Sequence, residues 1–357
     1  MKVSTERLRR AVLWSASGAL TAAMIVIGSA AQAAHPTAQA SRQGPGYPAP
    51  KGIYKPFTDC PLLNPLMAES TPAFGTGCVA GVVIGGKIKI GNIVTKVRAT
   101  AKVKVPVAVQ FGIWDPPNAP SDNPILGGIL PPPDGLPAQL ISFPQHIPGG
   151  LNAALGCPST NKTVQKLCTE LQANAKDRPL YASAQSAGQI TNFQLTSWTQ
   201  PLKFHLINPL LGPNCYVGSD DNPVIVNPSI VAGNLASETD PNPTKHPNTG
   251  VILIKKAVVT DAVFAAPVAT GCGPGGSANI AIDEAIDAAG GLPSASGNNS
   301  VTLDGTFFLG LNNGQRNMAK ILLSAFKDSS APANVRQTPL RWSKLSSLLN
   351  GGFRFAR

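Results

Sequence analysis

The clearest signal in the chain is an alternation of apolar and polar positions that follows Cys78. Lys87-Ile88-Lys89-Ile90 alternates, and Gly91-Asn92 has the composition of a two-residue hairpin turn. Apolar residues then recur on odd positions from Ile93 to Ile113, while even positions carry Lys96, Arg98, Lys102, Lys104 and Gln110. Side chains of a strand alternate between its faces, so this stretch predicts β-structure with one dry face and one wet, cationic face. The run is much longer than the usual strand of about five or six residues. Pro106 has no N–H to give to a ladder, so an edge, bulge or bend is expected there.

Elsewhere the pattern is shorter. Val164, Leu167, Cys168 and Leu171 recur at helical spacing and predict a helix over 161–175. A second helix is expected over 278–289, with Ile282, Ala285, Ile286 and Ala289 inward. Asp283, Glu284 and Asp287 fall on its solvated face, and Gly290-Gly291 ends it. Further strands are expected at 190–195, 202–207, 224–226, 251–254, 258–264 and 301–311, mostly bounded by Gly, Pro, Asn or Asp. The proline-rich segment 115–150 reads as a long loop held on the scaffold by residues such as Leu130, Leu140 and Phe143. Near the end, Leu340 to Leu349 reads as a short basic amphipathic helix. The fold class is therefore mainly β: sandwich- or barrel-like antiparallel sheets with one or two short helices.

Composition narrows this further. With 43% hydrophobic and only 13% charged residues, the 357-residue chain is neither a charge-rich disordered chain nor a coiled coil. Lys2, Arg7, Arg9 and Arg10 precede an uncharged, mostly apolar stretch from Ala11 to Ile27, and Ala31-Gln32-Ala33 supplies the small-x-small cleavage pattern. An export signal over 1–33 is expected, with Arg9-Arg10 leaving both the general and the twin-arginine routes open. Residues 34–56, rich in Ala, Pro, Gly and Gln, read as a flexible leader. A β-rich domain, or two smaller ones, follows over 57–330, and a basic segment over 331–357.

The cysteines suit that destination. Cys60, Cys78, Cys157, Cys168, Cys215 and Cys272 are even in number and contain no C-x-x-C pair of the kind metal sites use. Six cysteines allow 15 connectivities. Nearest neighbours close the shortest loops, which favours Cys60–Cys78, Cys157–Cys168 and Cys215–Cys272.

Charge is uneven. The chain carries 29 Lys and Arg against 18 Asp and Glu. From Thr71 to Trp114 there are six cations and no acid, and from Arg316 to Arg357 eight cations and one acid. Arg336, Arg341, Lys344, Arg354 and Arg357 are thus candidate contacts to an anionic surface, such as a cell-envelope polymer or lipid headgroups. No motif for specific nucleic-acid recognition is present.

Catalytic chemistry is weakly signalled. The histidines, His35, His146, His205 and His246, form no H-x-x-x-H or H-E-x-x-H spacing, and no G-x-S-x-G elbow occurs. His205 reads as a satisfied structural histidine. Ser219-Asp220-Asp221-Asn222 lacks calcium-loop spacing and reads as a turn, and Gly271 to Gly276 as a disulfide-anchored turn before a helix. No cofactor or metal is expected.

Three stretches carry a resemblance: Asn214 to Ser219 with Asn222-Pro223; Asp261 to Pro267 running into Thr270-Gly271-Cys272-Gly273; and Gly291 to Asn299. Phe57 to Leu62 adds a fourth. Together they resemble a group of exported actinobacterial proteins of unknown function, over about 57–310. The resemblance implies export and paired cysteines, Cys215 with Cys272 above all, and no activity. The expected function is that of an exported, non-catalytic binding or structural protein at the cell surface. A carrier of an apolar ligand and a hydrolase with an unrecognised triad are the alternatives.

Overall fold

The computed structural model describes residues 52–61, 64–68, 77–114, 128–130, 139–194, 196–240, 242, 244–245 and 249–312. The first strands are β1 (Gly77–Ile90), β2 (Ile93–Arg98), β3 (Val107–Ile113), β4 (Ile129–Leu130), β5 (Gln139–Ser142) and β6 (Gln145–His146). Two helices, α1 (Gly150–Ala154) and α2 (Lys162–Ala173), precede β7 (Tyr181–Ser186), β8 (Thr191–Gln194) and β9 (Ser197–Ile207). Then come β10 (Tyr216–Val217), β11 (Val224–Val226), β12 (Ser229–Thr239), β13 (Thr249–Asp261), β14 (Ala269–Thr270), α3 (Ser277–Gly290) and β15 (Ser300–Asn312).

All pairings are antiparallel. One layer runs β12-β13-β15-β1-β3, with β5 on the far edge of β3. The other centres on β9, which pairs with β7, β8, β10 and β11. The layers meet where Ser197 of β9 faces Ser229 of β12. On the opposite side Ser142 Oγ of β5 accepts from Ala184 N of β7 at 3.1 Å. The protein is thus mainly β, with antiparallel strands folded around an apolar interior in a barrel-like way.

The long alternation splits in two, and the β-structure expected over 99–106 is replaced by a connection that ends at Pro106. β2 ends at Arg98, and residues 99–106 form a connection before β3. The Gly91-Asn92 turn joins β1 to β2 with Ile90 opposite Ile93. Here Gly91 has φ 54°, and its N–H donates to Asn299 Oδ1 at 2.8 Å. The expected strands at 251–254 and 258–264 are one strand, β13, whose register slips between Ile254 and Ala257 next to Lys256 at φ 52°.

Helix α2 starts after Asn161, whose side chain caps it. Asn161 Oδ1 accepts from Thr163 N at 2.9 Å, and Val164, Cys168 and Leu171 are buried. Helix α3 buries Ile282 and Ile286 and ends at Gly291 in the left-handed region. All three nearest-neighbour disulfides are present: Cys60–Cys78, Cys157–Cys168 and Cys215–Cys272. They suit an oxidising compartment. No helix among the described residues is long and apolar enough to cross a membrane.

One expected boundary moves. Residues Gly52–Phe57 form a 3-10 turn in which Ile53, Tyr54 and Phe57 are buried. The domain therefore reaches at least five residues into the segment assigned to a flexible leader, because that short stretch holds three large apolar side chains. Tyr54 Oη donates to Asp240 Oδ2 at 2.6 Å across the sheet.

Candidate functional site

β9 alternates without a break: Trp198, Gln200, Leu202, Phe204 and Leu206 are buried, and the residues between them half-buried. Its buried face looks onto β1, β2, β3, β13 and β15. The facing residues there are small or slender, among them Gly81, Val83, Val97 and Val109, and the layers do not fully interdigitate. A cavity of about 140 Å³ remains between them, lined from Gly81, Val109 and Phe307 to Ile90, Ile93 and Leu292. It compares with an engineered apolar cavity of about 150 Å³ that stays dry and takes up benzene.

Nearly all of the lining is apolar. The exceptions are Thr95, Ser142, Gln145, Gln200 and Asp261, and no Lys, Arg or His is among the described lining residues. Most of these polar groups are engaged. Gln145 Oε1 accepts from Arg98 N at 3.1 Å, and its Nε2 donates to Phe143 O at 3.0 Å. Asp261 accepts from Asn227 N at 2.6 Å and from Val263 N at 2.9 Å. Gln200 differs. Trp198 Nε1 donates to its Oε1 at 3.1 Å, which fixes the orientation of the amide and leaves Nε2 without a partner. Gln200 is 5% exposed and is one of the lining residues, and its Nε2 is a buried donor. An unpaired buried donor costs about 1–3 kcal/mol.

A second, open groove lies outside β2. It is lined by Asn92, Val94, Lys96, Pro148 and the alanines of α1, encloses about 380 Å³, and shares Ile93 and Ile147 with the inner cavity. The groove is roomier but mixes polar with apolar walls. The inner cavity is the better-defined ligand site because its described lining is almost wholly apolar and includes Gln200, whose Nε2 is unpaired.

Among the described residues, the other chemistry-bearing side chains lie apart from this cavity. His205 lies on the opposite face of β9, stacked on Tyr216 with ring centres 4.7 Å apart. Burial pushes its imidazole below the usual range, against a hydrogen bond to the Pro213 carbonyl, and Lys203 pushes the same way. Its Nε2 is buried without a hydrogen-bond partner, so the expectation of a fully satisfied histidine is corrected, and no nucleophile is bonded to it. Ser219 to Asn222 forms the expected turn, with Asp220 held by Lys203 Nζ at 2.7 Å. Among the described residues no cluster of His, Cys, Asp or Glu has metal-binding geometry.

The acids of α3 are not solvated as expected. Asp283 accepts from Gly271 N at 3.2 Å and Cys272 N at 2.8 Å, and Asp287 accepts from Ala269 N at 2.7 Å. Both clamp the loop around Cys272 to the helix. Burial pushes both carboxyls above the usual range, against those N–H bonds. Glu284 alone of the three is exposed. The anionic-surface candidates Arg336, Arg341, Lys344, Arg354 and Arg357, with the basic helix expected near them and His35 and His246, lie outside the described residues.

Compared with known proteins, the chain matches no family model, no curated protein and no solved structure.

Proposed function

We propose that this chain is an exported carrier whose β-layers hold a neutral, apolar ligand bearing a carbonyl group. The observation that carries the reading is the apolar cavity with Gln200, whose buried Nε2 has no partner, among its lining residues. An ester, ketone or amide oxygen would pair with it. An ionised carboxylate would suit the site poorly, because Asp261 lines the cavity and no cation does so among the described residues. Small antiparallel barrels are widely suited to one small ligand between their walls. Export rests on the N-terminal charge and cleavage pattern and on the three disulfides. A hydrolase has less support, since His205 engages no nucleophile.

The test uses acetophenone, a neutral aromatic ketone little larger than benzene, as the probe, with binding read by isothermal titration calorimetry. Wild type is expected to bind it. Ala184 lines the cavity, and Ala184→Phe adds a ring of the size such a cavity holds. That variant should bind at least roughly tenfold more weakly while staying folded. Gln200→Met should bind roughly fivefold more weakly because the carbonyl loses its donor. Binding by Ala184→Phe equal to that of wild type would refute the cavity as the site.

A further inference from the structure

The β1–β2 hairpin has two unlike faces. Ile88, Ile90, Ile93, Thr95 and Val97 line the inner cavity. The outer face carries Lys87, Lys89, Lys96 and Arg98, and the connection that follows adds the exposed Lys102 and Lys104. Lys87 and Lys96 are directly opposite each other in the register. Like charges so placed are destabilising, so the sheet gains nothing from them. None of the six pairs with an acid among the described residues. Asp304 lies across Gly85 in the register, a single negative charge beside six positive ones.

Two apolar side chains stand among these cations. Ile84 is 55% and Val94 36% exposed. Cations with exposed aliphatic residues between them fit the boundary between anionic headgroups and acyl chains. A nucleic acid would instead call for aromatic stacking platforms, and this face has none. The open groove lined by Val94 and Lys96 borders the same hairpin and shares Ile93 and Ile147 with the cavity.

We infer that the outer face of the β1–β2 hairpin docks on an anionic lipid bilayer, bringing the groove beside β2 to the membrane. This surface is independent of what the cavity holds, so it stands or falls separately from the ligand.

The experiment is co-sedimentation of the full chain with vesicles of phosphatidylcholine and with mixed phosphatidylcholine–phosphatidylglycerol vesicles. Wild type is expected to sediment with the anionic vesicles only, and less as salt rises. Each Lys near an anionic surface is worth roughly fivefold in partitioning. Lys87→Glu/Lys96→Glu should therefore bind at least roughly tenfold more weakly, and Lys87→Gln/Lys96→Gln should fall between it and wild type. Arg336→Glu/Arg341→Glu makes the same charge change in the basic end and should lose less. Circular dichroism and the melting temperature establish that each variant is folded. An equal loss in the two charge-reversal variants would overturn the inference. So would equal binding to both vesicle types, or retention on heparin without binding to either vesicle.

Discussion

The two halves of β1 share one neighbour and part of the cavity wall, and differ in burial and in what covers their outer face. β15 pairs with the strand from Gly77 to Lys89. Over Gly77–Val83 all residues but Val82 are buried, while from Ile84 to Ile90 none is. In the first half Cys78 and Ala80 pack outward under Tyr54 and Phe57, and Val79 packs inward among Phe111, Trp198 and Phe307. In the second half the inward residues face a cavity and the outward ones face water. What separates the halves is cover. The Gly52–Phe57 turn lies over one and not the other, with the Phe57 ring so close to Gly310 that a Cβ there would meet it at 3.0 Å.

This contrast can be broken at the cover. Phe57→Ala removes a fully buried ring from the covered half and should cost about 4 kcal/mol in urea unfolding. Cys60→Ala/Cys78→Ala unties the cover from β1. A loop of 18 residues then opens, and stability should fall by about 3 kcal/mol, read as a lower melting temperature. Tyr54→Phe removes a bond to the buried carboxylate of Asp240 and should cost about 2 kcal/mol. The bare half should respond with the opposite sign. Lys96→Glu places unlike charges opposite each other and should stabilise by about 0.5 kcal/mol at low salt, an effect that fades as salt rises.

The same contrast explains what was legible in the sequence. The hairpin and helix α2 were read because one face of each is wet, and a wet face makes the period visible. The covered half, Gly-Cys-Val-Ala-Gly-Val-Val, is apolar throughout and shows no period. β12 was missed for another reason: its register slips on either side of Ala232, with Gly233 at φ 152°, so its side chains do not alternate cleanly. β7, Tyr-Ala-Ser-Ala-Gln-Ser, lacks β-branched residues, and only its pairing with β9 makes it a strand.

The candidate site was less legible than the fold. Cavity-lining residues look like any dry strand face, and the space appears only when both layers are in place. Gln200 carried no signal by itself. It stands in the series Trp198, Gln200, Leu202, Phe204, Leu206, and extending the expected strand back from Leu202 would have exposed one polar residue on a dry face. The α3 acids misled because their helical positions point away from Ile282 and Ile286, while the loop that covers them comes from outside the helix.

The most direct test of the account is native mass spectrometry of the unreduced chain after incubation with the small neutral apolar compounds extracted from the cells that produce it. The account predicts a mass above that of the chain with three disulfides, with the excess lost in Ala184→Phe. A bare mass for wild type, or an excess that Ala184→Phe leaves unchanged, would contradict it.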